Sequence, residues 1–297
     1  MGNLEEPCQS DNVIRLHPKV SVIVPTYNRP EMLAEALQSV VDQTFQDFEI
    51  VVVNDGGFEV EPVLAPFKRH SEIAYVRHDT NRGSAAARNT GLGIARGDYV
   101  AYLDDDDIFL HDHLETLITF LEASEYRVAY ADAFRAKQER VNKSYVVTIR
   151  DVPYSSDFDY DRILLRNFIP FLCVVHEKSC LKQAGYFDET LSTLEDWDFL
   201  IRLSRRFEMC HIRKVTCEFR WRDDGSTLTS KWGDFLKNRR LLYDRYRVYS
   251  GMPRLGRWSH NRMVETALLR LTLYRLYSKR WGYREATRRL LKHLGFM

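Results

Sequence analysis

The first third of the chain alternates two apolar patterns. Unbroken, largely β-branched runs at 20–25, 48–53, 73–77 and 98–103 read as strands buried on both faces. Between them apolar residues recur at helical spacing. Pro30 opens one such set, with Met32, Leu33, Ala36, Leu37, Val40 and Val41 on one face. Asn81-Arg82-Gly83-Ser84 starts another, which runs to about Ala95 and stops at Gly97. Strands of this kind alternating with helices predict a parallel sheet covered on both faces, and such sheets bind ligands at the carboxyl ends of their strands. Two acidic turns fall at that edge: Asn54-Asp55-Gly56-Gly57 after the second strand and Asp104-Asp105-Asp106-Asp107 after the fourth.

Later the pattern loosens. The spacing predicts a helix from Asp112 to Ala123, a strand pair at 128–134 and 145–149 that would make the sheet mixed, and short helices at 159–165 and 178–184. Leu194-Glu195-Asp196-Trp197-Asp198 opens an amphipathic helix, and from Trp232 onward the reading is mostly helical. The organisation expected is a polar lead at 1–19, one α/β domain at 20–230 and a helical extension at 231–297.

Charge sharpens that division. The net charge of +1 sums an acidic body of −12 over residues 1–230 and a tail of +13 over 231–297. The tail interleaves Arg245, Arg247, Arg270, Arg275 and Arg280 with Tyr243, Tyr246, Trp258, Tyr274 and Trp281. Such a composition suits an anionic membrane surface or a lipid-linked acceptor, and equally suits packing on the protein's own acidic body or on another copy in a homo-oligomer. Nucleic acid is not expected. No run approaches the roughly 18 apolar residues of a membrane span, and 1–19 lacks the apolar stretch of a secretory signal. The five cysteines show no C-x-x-C spacing, which argues against a disulfide framework or a zinc site and for a reducing compartment.

Four successive aspartates repel one another unless cations lie close. Their hard oxygens suit Mg²⁺ or Mn²⁺. In an extended segment Asp104 and Asp106 point one way and Asp105 the other, while Asp107 is placed to cap the following turn.

Four segments in order carry a resemblance: Val22-Ile23-Val24-Pro25-Thr26-Tyr27-Asn28-Arg29, Val52-Val53-Asn54-Asp55-Gly56, Asn81-Arg82-Gly83 with Ala87-Arg88-Asn89, and Tyr102-Leu103-Asp104-Asp105-Asp106-Asp107. Together they resemble the successive signatures of family 2 glycosyltransferases with the GT-A fold, over roughly 20–229. The resemblance implies a Rossmann-like, mostly parallel mixed sheet flanked by helices, and an inverting, metal-dependent transfer of a sugar from a nucleotide diphosphate, commonly UDP, to an acceptor hydroxyl. It implies that Pro25, Thr26, Tyr27 and Asn28 line the nucleotide pocket and that Asp55 accepts a hydrogen bond from the base. Arg88 would lie by the phosphates or hold an acid in place. Asp104 and Asp105 would join the nucleotide-sugar contacts, and Asp106, with Asp104, would ligate Mn²⁺ or Mg²⁺. Glu195-Asp196 matches the second acidic signature, with Asp196 the base, Glu195 its neighbour orienting acceptor or base, and Asp198 the competing choice. Trp197 reads either as a sugar platform or as core.

The family often follows this with an aromatic-Arg-x-His segment whose His can join the metal. Here the segment reads Phe219-Arg220-Trp221-Arg222-Asp223-Asp224 and has no histidine. Asp224 is the expected substitute ligand, unless this third contact is absent, and Arg222 is a candidate clamp on the diphosphate. The acceptor implied is a bacterial surface polysaccharide or lipid-linked glycan, with the enzyme in the cytoplasm or peripheral on the inner face of the plasma membrane. Two other readings compete: a nucleotidyltransferase, which would want a Gly-rich basic loop where Pro25-Thr26-Tyr27-Asn28-Arg29 stands, and a silent binding module of the same fold, which would be expected to have lost Asp104, Asp106 or Asp196.

Overall fold

The computed structural model describes residues 17–69, 71–142, 144–222 and 232–246. The first part alternates as the apolar pattern predicts: β1 (Val20–Thr26), α1 (Pro30–Val41), β2 (Phe48–Asn54), α2 (Glu61–Leu64), β3 (Glu72–Arg77), α3 (Ser84–Ile94) and β4 (Tyr99–Tyr102). Then follow β5 (Ile108–Phe109), α4 (His113–Glu122), β6 (Val128–Val141), β7 (Ser144–Asp151), α5 (Tyr160–Leu165), β8 (Val174–Glu177), α6 (Leu181–Ala184), α7 (Glu195–Ser204), β9 (Met209–Arg222) and α8 (Trp232–Arg245).

All nine strands join one sheet, ordered β3-β2-β1-β4-β8-β6-β9-β5, with β7 paired to β6. The β3-β2-β1-β4 half is parallel throughout. β8 runs antiparallel to both β4 and β6, and β6 and β9 are parallel over a long, twice-shifted register. The mostly parallel, mixed sheet expected from the sequence is therefore the one that forms. Its core includes Val22, Ile23, Val24, Ile50, Val51 and Val52 on the strands and Leu33, Ala36, Leu37 and Val40 on α1, all fully buried, with α3 packed on β1 at Ile23. Each such side chain contributes about 1.5–3 kcal/mol on leaving water.

The short α2 was not expected from the sequence, and the other differences lie beyond β4. β6 is twice the length expected, and β5, β8 and β9 were not anticipated. Asp107 does not cap the next turn: it is buried, and its Oδ1 accepts from the Arg220 backbone N–H on β9 at 2.7 Å. Trp197 is core, 2% exposed, with its indole N–H donated to the Ile163 carbonyl.

The chain divides into two compact units, 1–242 and 243–297. The division falls inside α8. One reason is Asn238, which is buried and donates to the Thr193 carbonyl just ahead of α7, fastening the start of α8 to the first unit. Of the second unit only 243–246 are described, so the basic tail lies outside the described residues. Among the described residues, no helix is long and apolar enough to cross a membrane.

Candidate active site

The carboxyl edge of the parallel half carries Thr26, Asp55 and the Asp104–Asp107 turn, and Arg88 ties Glu195 to it. β1 ends at Thr26. Thr26 Oγ1 donates to Asp105 Oδ2 at 2.8 Å, the Tyr27 backbone N–H to the same oxygen at 3.3 Å, and Arg29 Nη1 to Asp105 Oδ1 at 3.0 Å. Asp105 is thus turned into the protein to hold the β1 loop, and it is not open to a sugar. Burial, only partly offset by Arg29, pushes its carboxyl up to about 6. Asn28 takes a positive φ of 58° and its side-chain oxygen accepts from the Phe58 N–H, which ties the β1 loop to the β2 loop. Tyr27 is 45% exposed.

Asp55 caps the neighbouring loop. Its oxygens accept from the backbone N–H groups of Arg82 (2.8 Å) and Gly83 (2.7 Å), and Oδ1 also lies 2.7 Å from His78 Nδ1. A carboxylate offers about four acceptor positions, so one remains for an incoming donor. Gly56 is required here: at φ 74° its added Cβ would meet the Thr80 carbonyl carbon at 2.5 Å.

Asp104, Arg88 and Glu195 form the centre. Arg88, on α3 and 4% exposed, donates through Nη1 to Glu195 Oε1 and through Nη2 to Asp104 Oδ1, both at 2.7 Å. Burial disfavours its charge, but Asp104 and Glu195 outweigh burial and hold it more firmly protonated than usual. Rings of Phe171 and Phe187 lie 5.2 and 5.6 Å from its guanidinium carbon and exclude water from one side. Ser84 also donates to Glu195. Of the two roles expected for Arg88, the ion-pair role is the one seen.

Asp196, next along α7, accepts from Asn167 Nδ2 at 3.2 Å. Its surroundings push its carboxyl up to about 6: burial first, then the Glu195 charge, with Arg88 opposing. A carboxyl poised there is ionised at neutral pH, yet more basic than a free aspartate. Asp198 is fully buried and paired to Arg202 Nε at 2.8 Å, so it is not the competing base. Leu194 enters the helix in the left-handed region, φ 65°, a strained placement at the lip of the site.

Asp106 is met by two arginines. Arg29 Nη1 lies 3.0 Å from its Oδ2, and Arg222 Nη2 donates to the same oxygen while Nη1 donates to Gln138 Oε1 at 2.8 Å. Arg222 is 3% exposed, at the end of β9. Burial raises the Asp106 carboxyl, with Asp104 adding to it and Arg29 and Arg222 opposing.

For a divalent cation, Asp104 and Asp106 are suitable by donor type, and the Asp104 side chain is 43% exposed. Among the described residues, no three His, Cys, Asp or Glu side chains converge on a common metal position. The set therefore fits an ion that takes one or two carboxylates and completes its coordination with substrate phosphates, the habit of magnesium. Asp224 lies outside the described residues.

Arg29, His78, Ser84, Gln138 and Asn167 were not assigned roles by sequence reasoning. Arg29 stands within a recognised segment and could have been found as a cation two residues from the loop; nothing local marks Asn167. A separate cleft of ≈ 860 Å³ opens on the amino-terminal side of β1 and β4, lined by Lys19, Arg96, Asp98 and Lys178 among others. Lys19 and Arg96 there are committed to Glu122 and Glu49, and none of the carboxylates described above borders it.

A parallel half with two acidic turns at one edge, joined there by a helix-borne acid pair, is the layout of a GT-A glycosyltransferase. The chain belongs to glycosyltransferase family 2: the family described as Glycosyl transferase family 2 matches residues 21–182. It is 29% identical to the Bacillus subtilis glycosyltransferase YwdF, over 80% of this chain and 86% of that protein. It is 33% identical to a Rickettsia bellii glycosyltransferase, over 70% of this chain but only 30% of that much longer protein. Among solved structures, Staphylococcus aureus TarS 1–349 in complex with UDP-GlcNAc superposes with a TM-score of 0.63 at 23% identity, over 75% of this chain and 65% of that one. The fold is thereby shared, and the chain spans less than two thirds of the TarS fragment. The protein is a glycosyltransferase, and family membership sets aside the nucleotidyltransferase alternative.

Proposed function

We propose that the chain transfers a sugar from a UDP-linked donor to an acceptor hydroxyl with inversion at the anomeric carbon. The observation that carries this reading is the Arg88 bridge, which puts Asp104, on the side expected to face the donor diphosphate, next to Glu195 and the base candidate Asp196. The uridine would lie over Tyr27 with its base edge toward the vacant acceptor position of Asp55. The crystallised TarS complexes with UDP and UDP-GlcNAc support a uridine diphosphate donor. Asp196 then takes the proton of the acceptor hydroxyl as its oxygen attacks opposite the departing diphosphate. Arg88 holds Glu195 in place beside it and keeps part of the Asp196 charge favourable. Asp104 and Asp106 would hold Mg²⁺ or Mn²⁺, which supplies Lewis-acid neutralisation of the leaving diphosphate. A polysaccharide or lipid-linked acceptor on the cytoplasmic side of the membrane, met through the basic tail, is the setting we favour.

The deciding experiment replaces Asp196 by Asn. UDP binding should stay within a few-fold of the parent, while transfer from UDP-sugar falls by about 10²–10⁴-fold, the usual worth of a general base. Full turnover in this variant would move the base elsewhere.

A further inference from the structure

Resting on the function proposed above, we infer that Arg222 is a diphosphate-binding residue that shares the charge neutralisation otherwise left to a divalent cation. The last strand, β9, delivers this guanidinium to the acidic turn.

Three observations bear on its role. Arg222 is buried and donates to Asp106 Oδ2, the carboxylate expected to ligate the metal. Gln138, paired with Arg222 across β6 and β9, accepts from its other Nη and fixes the orientation of the guanidinium plane. Its carbon also lies 5.1 Å from the Tyr145 ring, on the β7 side, which confines it further. A guanidinium so held costs little further ordering when an anion arrives, and its fork matches phosphate oxygens. Two guanidiniums meet at Asp106: Arg29, which is shared with Asp105, and Arg222, whose charge an incoming diphosphate at this edge would meet. The same pairing opposes metal binding at Asp106 before the donor arrives, because an ion must compete with two guanidiniums for one carboxylate.

The test measures UDP binding by calorimetry in EDTA and in MnCl₂, and Mn²⁺ binding alone by electron paramagnetic resonance. The parent, Arg222→Gln and Arg222→His are compared, with Arg213→Gln on the exposed part of β9 as control. Expected is measurable UDP affinity of the parent in EDTA. Arg222→Gln should lose that affinity by about 10- to 100-fold, as loss of a charge-assisted contact implies. With manganese present its loss should be clearly smaller. The same variant should bind Mn²⁺ alone more tightly, and Arg222→His tighter still. If the Gln variant does not fold, judged by circular dichroism, the His variant carries both readouts. Equal weakening with and without manganese, or unchanged affinity in EDTA, overturns the inference. A parent that binds UDP only with manganese also overturns it while leaving the proposed function standing; no UDP binding in either buffer removes the proposed function itself.

Discussion

The two halves of the sheet hold their acidic residues by different means. In the β3-β2-β1-β4 half, Asp55 is satisfied chiefly by backbone: the amides of Arg82 and Gly83, with His78 behind. In the turn that faces the β8-β6-β9-β5 half, Asp104 and Asp106 are satisfied by guanidinium groups that come from α3, the β1 loop and the far end of β9. Backbone amides fix a carboxylate by the path of the chain, and no side-chain substitution elsewhere can replace them. Guanidiniums fix it through side chains that can vary one at a time. The nucleotide end of the site is thus set by the fold, and the transfer end by side-chain choice.

The sharpest way to break that contrast is Asp55→Ala. It removes the acceptor of two part-buried amides, those of Arg82 and Gly83, at a combined cost of about 1–3 kcal/mol, and removes the acceptor proposed for the base. Thermal unfolding should shift down by several degrees and UDP binding should disappear. A variant with parental stability would show that the 80–83 loop is held by something other than Asp55.

A smaller effect should come from pH. Asp196 must be ionised to accept a proton, so with its carboxyl near 6 the transfer rate should rise with pH to a limb near 6 and then level. Arg88 opposes the raised value, and Arg88→Gln should therefore move the limb upward, measured on whatever turnover remains. The linked stability has a definite sign. A carboxyl raised above its unfolded value of about 3.9 holds its proton more tightly when folded, so stability is lost as pH rises from about 4 through 6. Asp196→Asn should accordingly be more stable than the parent at pH 8, by roughly 1–3 kcal/mol, with the difference closing by pH 4. A gap that widens toward acid would mean Asp196 is ionised and paired in the folded state.

Legibility in the sequence follows the same division. β1, β2 and β4 are runs of apolar residues buried on both faces and closed by turns, a pattern that survives without tertiary context; β3, at the sheet edge, is only part-buried but keeps an apolar centre. The acidic turns at their ends could be placed at one sheet edge because a short loop keeps its residues beside the strand that precedes it. β9 was not read as a strand. Its 14 residues include His211, Arg213, Lys214, Glu218, Arg220 and Arg222, and its register against β6 shifts twice, at Ala131/Asp132 and Asp132/Ala133, so no steady alternation of apolar positions builds up. β8 is only four residues long. The pairing of Arg88 with Glu195 spans 107 positions and that of Arg222 with Asp106 spans 116; spacing along a chain carries no trace of such contacts. The carboxylates could be read as a set at one edge and Arg88 as a holder of an acid, whereas which acids Arg88 bridges, and the pairing of Arg222 with Asp106, could not.

The smallest expected effect measures how tightly the parallel half is packed, using two glycines of one helix. Gly91 and Gly93 both lie in α3, the helix that carries Arg88. A Cβ at Gly91 would stand 2.7 Å from Ile23 Cγ2 on β1, inside a core where a displaced methyl has nowhere to go, so Gly91→Ala should destabilise by about 1–3 kcal/mol. A Cβ at Gly93 meets nothing within 4 Å, and there alanine gains helix propensity and reduces unfolded-state entropy. Gly93→Ala should therefore stabilise the fold by about 0.5–1 kcal/mol and leave UDP affinity unchanged, while Gly91→Ala should weaken both through the shifted Arg88. Chemical denaturation of the two variants reads the signs directly. Equal and opposite to expectation would be a stable Gly91→Ala protein, because it would mean that α3 can slide on β1 and that the nucleotide half is as adjustable as the transfer half.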